Sequence, residues 1–304
     1  MSFKSKTRLF MAMGALGALG LAGCSGAGDE APADGGQANE AGTQEAVPEI
    51  AELLPQEIKD AGVLRVGTAA AYPPMTFLDD EGGFTGLDPD LARAVGGVLG
   101  VEVKLENLPF DGILAGVLAD RFDAAWSVMS VTQERMEQVD FVSYLEAGTQ
   151  ILVQAGNPAG LSDEKSLCGQ DLAVVKGSSQ DLKIVPELSA TCEDEGLEPI
   201  NKFVFPAQGE SNQALVSGRV VGSLDDGSIL AWQAKQAPDT FELHSLVVDP
   251  SPVGVALTKG DAELAEAIRA ATQYLIDNGE YQELLETWSL GDGAIDTAEI
   301  NPGV

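Results

Sequence analysis

The sequence contains few of the residues that build metal and catalytic centres. Its 304 residues include a single histidine, His244, and only three cysteines. Zinc sites need several histidine or cysteine ligands at close spacing, so we predict no zinc site and expect no metal centre. The sequence also lacks a Gly-x-Ser-x-Gly nucleophile motif and a phosphate-binding loop. We therefore predict that the protein carries no cofactor and is not an enzyme.

Basic residues are also scarce. Lysine and arginine together number 17 against 48 aspartate and glutamate residues, which gives a formal net charge of −31. Such a charge makes nucleic acid and an anionic lipid surface poor partners. The acidic residues are spread over the whole chain, and this pattern fits either an ordinary solvated surface of an exported protein or adaptation to high salt.

No apolar run is long enough for a permanent transmembrane helix. The uncharged run from Leu9 to Ala22 has 14 residues, whereas a helix that spans a bilayer needs about 20. Because Lys4, Lys6 and Arg8 precede this run, residues 1–23 are predicted to be a secretory signal peptide.

The end of the signal peptide predicts a lipid anchor. Leu21-Ala-Gly-Cys24 resembles the bacterial lipobox, in which the cysteine becomes the first mature residue and carries lipid. The alternative is that Cys24 is only a small residue near a cleavage site. Residues 24–56 are rich in Gly, Ala, Pro, Asp, Glu and Gln, which indicates a flexible acidic tether. We expect an exported protein that is anchored to the extracytoplasmic face of the cell membrane.

The other two cysteines, Cys168 and Cys192, form a lone pair in an exported chain. Such a pair usually forms a disulfide, and we predict one here.

Strands and helices alternate after the tether. Val63–Val66 is a short apolar strand, Leu87–Leu99 has helical spacing of apolar residues, and Ala124–Trp126 is a second strand. The pattern repeats with a strand at Leu172–Val175 and another at Val220–Leu224. This order predicts an α/β fold with mainly parallel sheets covered by helices. Two such blocks create a cleft at the carboxyl ends of their strands, where small molecules bind.

An ordered series of short motifs carries a family resemblance between Gly62 and Trp288. The motifs are Val63-Leu-Arg-Val-Gly-Thr68, Tyr72-Pro-Pro74, Gly86-Leu-Asp-Pro-Asp-Leu-Ala92, Phe110-Asp-Gly-Ile113, Phe122-Asp-Ala124, Met129-Ser-Val-Thr-Gln-Glu-Arg135, Val139-Asp-Phe141, Gly177-Ser-Ser179, Gly218-Arg219 and Pro252-Val-Gly-Val-Ala256. In this order the chain resembles the amino-acid-binding solute receptors of ABC importers, solute-binding protein family 3. The disulfide pair and the tail after Trp288 resemble a lipoprotein subgroup that is common in actinobacteria.

The resemblance implies a two-lobe, type II periplasmic-binding-protein-like fold. Each lobe would be a mainly parallel sheet flanked by helices, and two strands would form the hinge. Residues 57–152 and 253–304, including the C-terminal tail, would form lobe 1, and residues 153–252 would form lobe 2. The hinge connections are expected near Gln150–Gln154 and Pro252–Leu257.

Arg135 is the predicted anchor for a ligand carboxylate. An amino acid presents a carboxylate and an ammonium separated by one carbon, so its receptor needs a cation and an anion. Arg135 lies in the first turn of a helix that begins at Thr132, and a guanidinium can bind a carboxylate through two parallel hydrogen bonds. The alternative is a surface arginine paired with Glu134 or Glu137.

The resemblance assigns the other binding residues. Ser127, Val128 and Ser130 would line the same pocket as Arg135. Ser179 would touch the ligand carboxylate from lobe 2, with Ser178 as the next candidate.

The resemblance also implies the groups that meet the ammonium and the side chain. Asp226 matches the aspartate that binds the ligand ammonium, with Asp225 as the alternative one residue earlier. Tyr72 and Phe110 match aromatic residues that enclose the ligand side chain, although either could belong to the core. Many relatives have an acidic residue where Ala69 stands, and its loss favours acidic or small neutral amino acids over cationic ones.

The function implied by the resemblance is binding an amino acid for import. The partners would be ABC permease subunits and the membrane, and we expect a monomer. Two alternatives use the same fold: an exported enzyme similar to cyclohexadienyl dehydratase, and a ligand-sensing module for a partner receptor.

Overall fold

The structure, a computed structural model, describes residues 46–303, and the side chains of residues 245–250 are not described. The predicted signal peptide, Cys24 and the first part of the predicted tether lie outside the described residues. Among the helices of residues 46–303, none combines the length and apolar character needed to cross a membrane.

The end of the predicted tether belongs to the folded part of the chain. Helix α1 spans Pro48–Ala51 and α2 spans Gln56–Ala61. The Val47 amide donates to the Val98 carbonyl at 2.9 Å, and Leu54 is 2 % exposed. Because these residues bury apolar surface against the fold, the segment from residue 47 to residue 56 is ordered, although its composition predicts a tether.

The rest of the described fold has eleven strands, eight further α-helices and short helical segments of other types at Glu164–Leu167, Gln180–Ile184 and Gly291–Gly293. The strands are β1 Val63–Thr68, β2 Ala71–Tyr72, β3 Thr76–Leu78, β4 Phe84–Thr85, β5 Glu102–Asn107, β6 Ala124–Ser130, β7 Val139–Gln154, β8 Asp171–Val175, β9 Asn201–Phe205, β10 Gly222–Asp226 and β11 Phe241–Thr258. The helices are α3 Leu87–Leu99, α4 Phe110–Leu118, α5 Gln133–Met136, α6 Val185–Asp194, α7 Gln208–Val216, α8 Gly227–Gln236, α9 Ala262–Asn278 and α10 Glu280–Trp288.

Eight of these strands form one sheet in the order β5-β1-β6-β11-β7-β10-β8-β9. The pairs β5-β1, β1-β6, β10-β8 and β8-β9 are parallel, whereas β11 and β7 are antiparallel to each other and to β6 and β10. The two long strands therefore connect two parallel groups. We call the group β5-β1-β6 and its helices the Arg135 half, and the group β10-β8-β9 and its helices the Asp226 half.

Buried apolar clusters lie in both halves. The cluster centred on the Arg135 half includes Leu64 and Trp126, α3 contributes Leu91 and Val95 to it, and it extends to Val175 and Ile229 of the Asp226 half. The cluster of the Asp226 half includes Leu172 and several side chains of the segment before α7. The predicted helix Leu87–Leu99 agrees with α3. Its apolar positions follow the helical repeat and pack against β5 and α9.

The predicted disulfide between Cys168 and Cys192 is present, with a Cα–Cα distance of 5.6 Å. It lies in the Asp226 half, where Cys192 is buried beside Leu167 and Leu188. The segment after α10 packs back onto β7: the Phe141 amide donates to the Asn301 side chain at 2.9 Å.

Candidate functional site

Arg135 is a buried cation between the two halves. The Thr132 hydroxyl caps α5 by accepting from the Arg135 amide, which fixes the first turn of this short helix. The guanidinium is directed inward, where it donates to the Ser130 carbonyl at 2.7 Å and to the Gly177 carbonyl at 2.9 Å. Gly177 belongs to the Asp226 half, so this side chain contacts both halves.

The electrostatics of Arg135 differ from those of a surface arginine. The residue is 8 % exposed, and burial lowers the pKa of its guanidinium to about 10. It stays protonated at neutral pH. Within the described residues no carboxylate forms an ion pair with it, so the predicted alternative of a pair with Glu134 or Glu137 is not seen. A buried cation without an anionic partner is costly, and its carbonyl contacts alone do not neutralise its charge.

Hydroxyl groups from both halves meet beside this guanidinium. The Ser130 and Ser179 hydroxyl oxygens are 3.3 Å apart, one on the end of β6 and the other after β8. Ser178 is buried next to them, and its hydroxyl accepts from the Asp181 amide. Ser127 lies deeper, where its hydroxyl accepts from the Ala69 amide at 3.1 Å.

Val128 has an unusual backbone conformation, which a buried carboxylate supports. Its φ is 43°, a region that β-branched residues rarely adopt and that is common at binding sites. One Asp88 carboxylate oxygen accepts from the Val128 amide at 3.0 Å, and the other accepts from the Tyr144 hydroxyl at 2.6 Å. Burial raises the pKa of Asp88 to about 7.

The sequence did not indicate this role of Asp88. Asp88 lies in the first turn of α3, which begins at Leu87 with Gly86 as its N-cap residue. A usable signal was its position: Asp88 shares a helix face with Ala92 and Val95, both buried. A carboxylate on an apolar helix face needs buried donors.

Asp226 and Asp225 both lie in the site, although they are neighbours on β10. The Tyr72 hydroxyl donates to Asp225 at 2.7 Å, and the Asp226 amide donates to the other Asp225 oxygen at 2.8 Å. The Gln180 side chain approaches Asp226 at 3.5 Å. Burial raises the pKa of both carboxyl groups, and repulsion from Asp225 raises that of Asp226 further.

Two aromatic rings complete the site. Tyr72 and Phe110 stack with ring centroids 6.3 Å apart and an interplanar angle of 20°. The Arg135 guanidinium lies 5.9 Å from the Phe110 centroid, a distance suited to a cation–π contact. The hydroxyl of Tyr72 connects this aromatic pair to the carboxylate of Asp225 on the other half.

A small inner cavity brings these groups together. Its volume is about 10 Å³, and it is lined by Tyr72, Phe110, Val128, Ser130, Arg135, Ser178, Ser179, Gln180, Asp225 and Asp226. Of the predicted binding residues only Ser127 is not part of this lining. Gln180 was not predicted; it follows Ser179 directly, and its side chain also donates to Thr149 on β7 at 2.8 Å.

An outer groove adjoins the inner cavity. The groove has a volume of about 610 Å³ and shares Phe110, Arg135 and Ser179 with the inner cavity. At its rim the Lys176 ammonium of one half pairs with the Asp111 carboxylate of the other at 2.6 Å. The inner cavity holds no more than about one water molecule, so a larger molecule can reach it only if the two halves separate.

Comparisons with known proteins show which family this chain matches. Residues 64–291 match the model of the bacterial extracellular solute-binding proteins, family 3. The arginine-binding protein ArgT of Corynebacterium glutamicum is 33 % identical over 255 residues, which cover 84 % of this chain and 83 % of ArgT.

Solved structures show the same likeness. A mutant of the arginine-binding protein ArgBP from T. maritima has a TM-score of 0.69 at 30 % identity and covers 77 % of this chain and 97 % of its own. An ancestral arginine-binding protein bound to arginine has a TM-score of 0.68 at 33 % identity and covers 75 % of this chain and 98 % of its own. The predicted two-lobe α/β fold of type II is confirmed by these likenesses. The chain belongs to the bacterial extracellular solute-binding proteins, family 3.

Proposed function

We propose that this protein captures an amino acid between its two halves and delivers it to an ABC permease. The observation that carries the proposal is the buried guanidinium of Arg135, which has no anionic partner among the described residues and lies in one cavity with Asp226. A zwitterion supplies both missing charges at once. The names of the relatives, which are amino-acid-binding proteins, support this class of ligand.

The ligand carboxylate binds Arg135 in this proposal. The guanidinium already donates to two carbonyl oxygens, and its remaining N–H groups are available for a carboxylate. The hydroxyls of Ser130 and Ser179 add donors from the two halves, and the backbone of Val128, which Asp88 holds in place, lines the same cavity.

The ligand ammonium binds Asp226. Burial and repulsion from Asp225 disfavour the ionised form of Asp226 in the free protein. An ammonium at this carboxylate replaces the proton and neutralises the buried charge, and the field of Arg135 also favours the ionised carboxylate. Tyr72 and Phe110 enclose the ligand stem through their stacked faces.

Binding requires the two halves to move apart and close again. The inner cavity is too small for an amino acid. Four pairs of groups join the two halves: Arg135 with Gly177, Ser130 with Ser179 and Tyr72 with Asp225 near the inner cavity, and Asp111 with Lys176 at the rim of the outer groove. We propose that residues 57–152 and 253–304 form lobe 1 and that residues 153–252 form lobe 2. Strands β7 and β11, which connect them, then form the hinge.

The remaining parts of the proposal concern location and chemistry. We propose a signal peptide at residues 1–23, lipid attachment at Cys24 and a membrane-anchored monomer outside the cytoplasm. We also propose that the protein is a receptor and not an enzyme, since the relatives reported above are named as binding proteins. The preference for acidic or small neutral ligands rests on Ala69 alone, and this residue does not decide the matter because Asp225 supplies a second carboxylate to the cavity.

Calorimetric titration of Arg135→Ala tests the proposal. We first identify bound amino acids by thermal-shift screening of the wild-type protein against the twenty amino acids, where a ligand at 100 times its Kd adds about 2.7 kcal/mol. Arg135→Ala is then expected to weaken binding by at least about 30-fold, because losing a charged hydrogen-bonding partner costs about 2 kcal/mol or more. Arg121→Ala, which removes an arginine from the surface, is the control. Equal affinities for both variants would exclude Arg135 as the anchor.

A further inference from the structure

The inner cavity contains more negative charge than one amino-acid ammonium can neutralise. Asp225 and Asp226 are 2 % and 6 % exposed, and both line the cavity. The only basic side chain in the lining is Arg135. If the ligand carboxylate binds Arg135 and the ligand ammonium binds Asp226, as in the proposed function, Asp225 has no cationic partner in the described part of the site.

The hydrogen bonds of Asp225 stabilise its carboxylate only in part. It accepts from the Tyr72 hydroxyl and from the Asp226 amide, and both donors are neutral. These bonds fix the carboxylate at the wall of the cavity and do not offset its charge. A nearby lysine, Lys176, is already paired with Asp111 at the rim and is not part of the lining.

We propose that Asp225 is a specificity-determining residue that binds a cationic ligand side chain, so that the protein prefers amino acids with a guanidinium or ammonium side chain. This inference rests on the proposed function and names its ligand class. This ligand class replaces the preference for acidic or small neutral amino acids that was drawn from Ala69. The acidic group that Ala69 lacks is supplied by Asp225, from the opposite half of the molecule.

The protonation of the acid pair supports this assignment. Burial raises the pKa of both carboxyl groups, and repulsion from Asp225 raises that of Asp226 further, so the free protein favours a proton on the pair. A ligand with one ammonium compensates one carboxylate and leaves the other protonated or unpaired. A ligand with two cationic groups compensates both, and two ion pairs then form in a site from which water is excluded.

The position of the aromatic pair lets a long ligand side chain reach the Asp225 carboxylate. Tyr72 stacks on Phe110, and its hydroxyl is hydrogen-bonded to Asp225. A flexible aliphatic stem that lies along the Tyr72 ring therefore ends near Asp225. A planar guanidinium at this point can bind the carboxylate and lie against the aromatic face together.

The test compares L-arginine with L-citrulline, in which a neutral ureido group replaces the guanidinium at nearly the same size. We expect the wild-type protein to bind arginine at least about tenfold more tightly than citrulline in calorimetric titrations, because one charged hydrogen-bonded pair is lost. Asp225→Asn keeps an acceptor for the Tyr72 hydroxyl and removes the charge. In this variant the arginine-to-citrulline affinity ratio is expected to fall to within about threefold of unity.

A matched control removes the same charge outside the inner cavity. Asp111→Asn breaks the rim pair with Lys176, and we expect it to change the arginine-to-citrulline ratio by less than about threefold. Thermal unfolding of each variant establishes that it is folded.

Three outcomes are informative. A wild-type ratio near unity, or an unchanged ratio in Asp225→Asn, would overturn this inference while leaving the proposed function intact. A protein that binds no amino acid, or an Arg135→Ala variant that binds as well as the wild type, would overturn the proposed function itself. A ratio that collapses only in Asp225→Asn supports the inference.

Discussion

Asp88, whose carboxylate accepts from the Val128 amide, is the residue to replace first. Its effects on stability and on ligand binding can be measured separately. Asp88→Ala removes the acceptor of the buried Tyr144 and Thr76 hydroxyls and one of the two acceptors of the Val128 amide, the other being the Tyr144 oxygen. An unsatisfied buried donor costs about 1–3 kcal/mol, so we expect a loss of about 2–5 kcal/mol in the free energy of unfolding. Val128 also loses the contact that holds its φ at 43°.

The effect on ligand binding follows from the backbone. With Val128 free to relax, the strand end that carries Ser130 no longer presents its groups to the ligand carboxylate, and we expect the affinity for L-arginine to fall at least about tenfold. Asp88→Asn retains one carbonyl oxygen for the Val128 amide. Because the pKa of Asp88 is raised to about 7, its neutral form is already accessible, and we expect the asparagine variant to stay within about threefold of wild-type affinity.

Urea unfolding and calorimetric titration at one temperature provide the measurements. Leu188→Ala is the control for lost stability: it empties a buried position in the Asp226 half, away from the cavity, and costs about 2–5 kcal/mol. Its affinity is expected to stay within about threefold of the wild type. The reasoning is refuted if Asp88→Ala binds arginine normally, or if Leu188→Ala weakens binding as much.

Three further predictions concern the pH dependence of arginine affinity, the pH dependence of stability, and the disulfide. The pKa of Asp226 is raised to about 8, so arginine affinity should increase from pH 6 to pH 8.5, by up to about tenfold per unit, in titrations at several pH values. The raised pKa values of Asp226 and Asp88 also mean that the folded protein binds protons that the unfolded chain releases. The protein without ligand should therefore lose thermal stability as the pH rises through 7–8. Replacing Cys168 and Cys192 by alanine opens a loop with a sequence separation of 24 and should cost roughly 3 kcal/mol in the free energy of unfolding, with unchanged arginine affinity. A flat affinity profile, or a double variant that no longer binds, would contradict these predictions.

Much of the fold was predictable because its local signals are strong. The apolar repeat of Leu87–Leu99 predicts the full length of α3. Nine residues of this helix are buried, so the repeat follows the face that packs into the fold. The long strands β7 and β11 were only partly predicted, as hinge connections near Gln150–Gln154 and Pro252–Leu257. Each passes through both halves, so its burial pattern changes along its length and no single period describes it.

The composition of the site was predictable from motifs, but its contacts were not. Seven of the eight predicted binding residues line the inner cavity, and the alternatives Asp225 and Ser178 line it too. The sequence could not show that both aspartates face the cavity, because neighbours on a regular strand point to opposite faces. The end of β10 leads directly into α8, and this turn places the two carboxylates together.

A crystal structure of the protein with L-arginine would show whether one ligand bridges Arg135 and Asp226. We predict an α-carboxylate within about 3 Å of the Arg135 guanidinium and an α-ammonium within about 3 Å of an Asp226 oxygen. Both contacts should come from one ligand enclosed by the two halves. A ligand bound outside the inner cavity, or one whose carboxylate and ammonium contact the same half, would contradict this prediction.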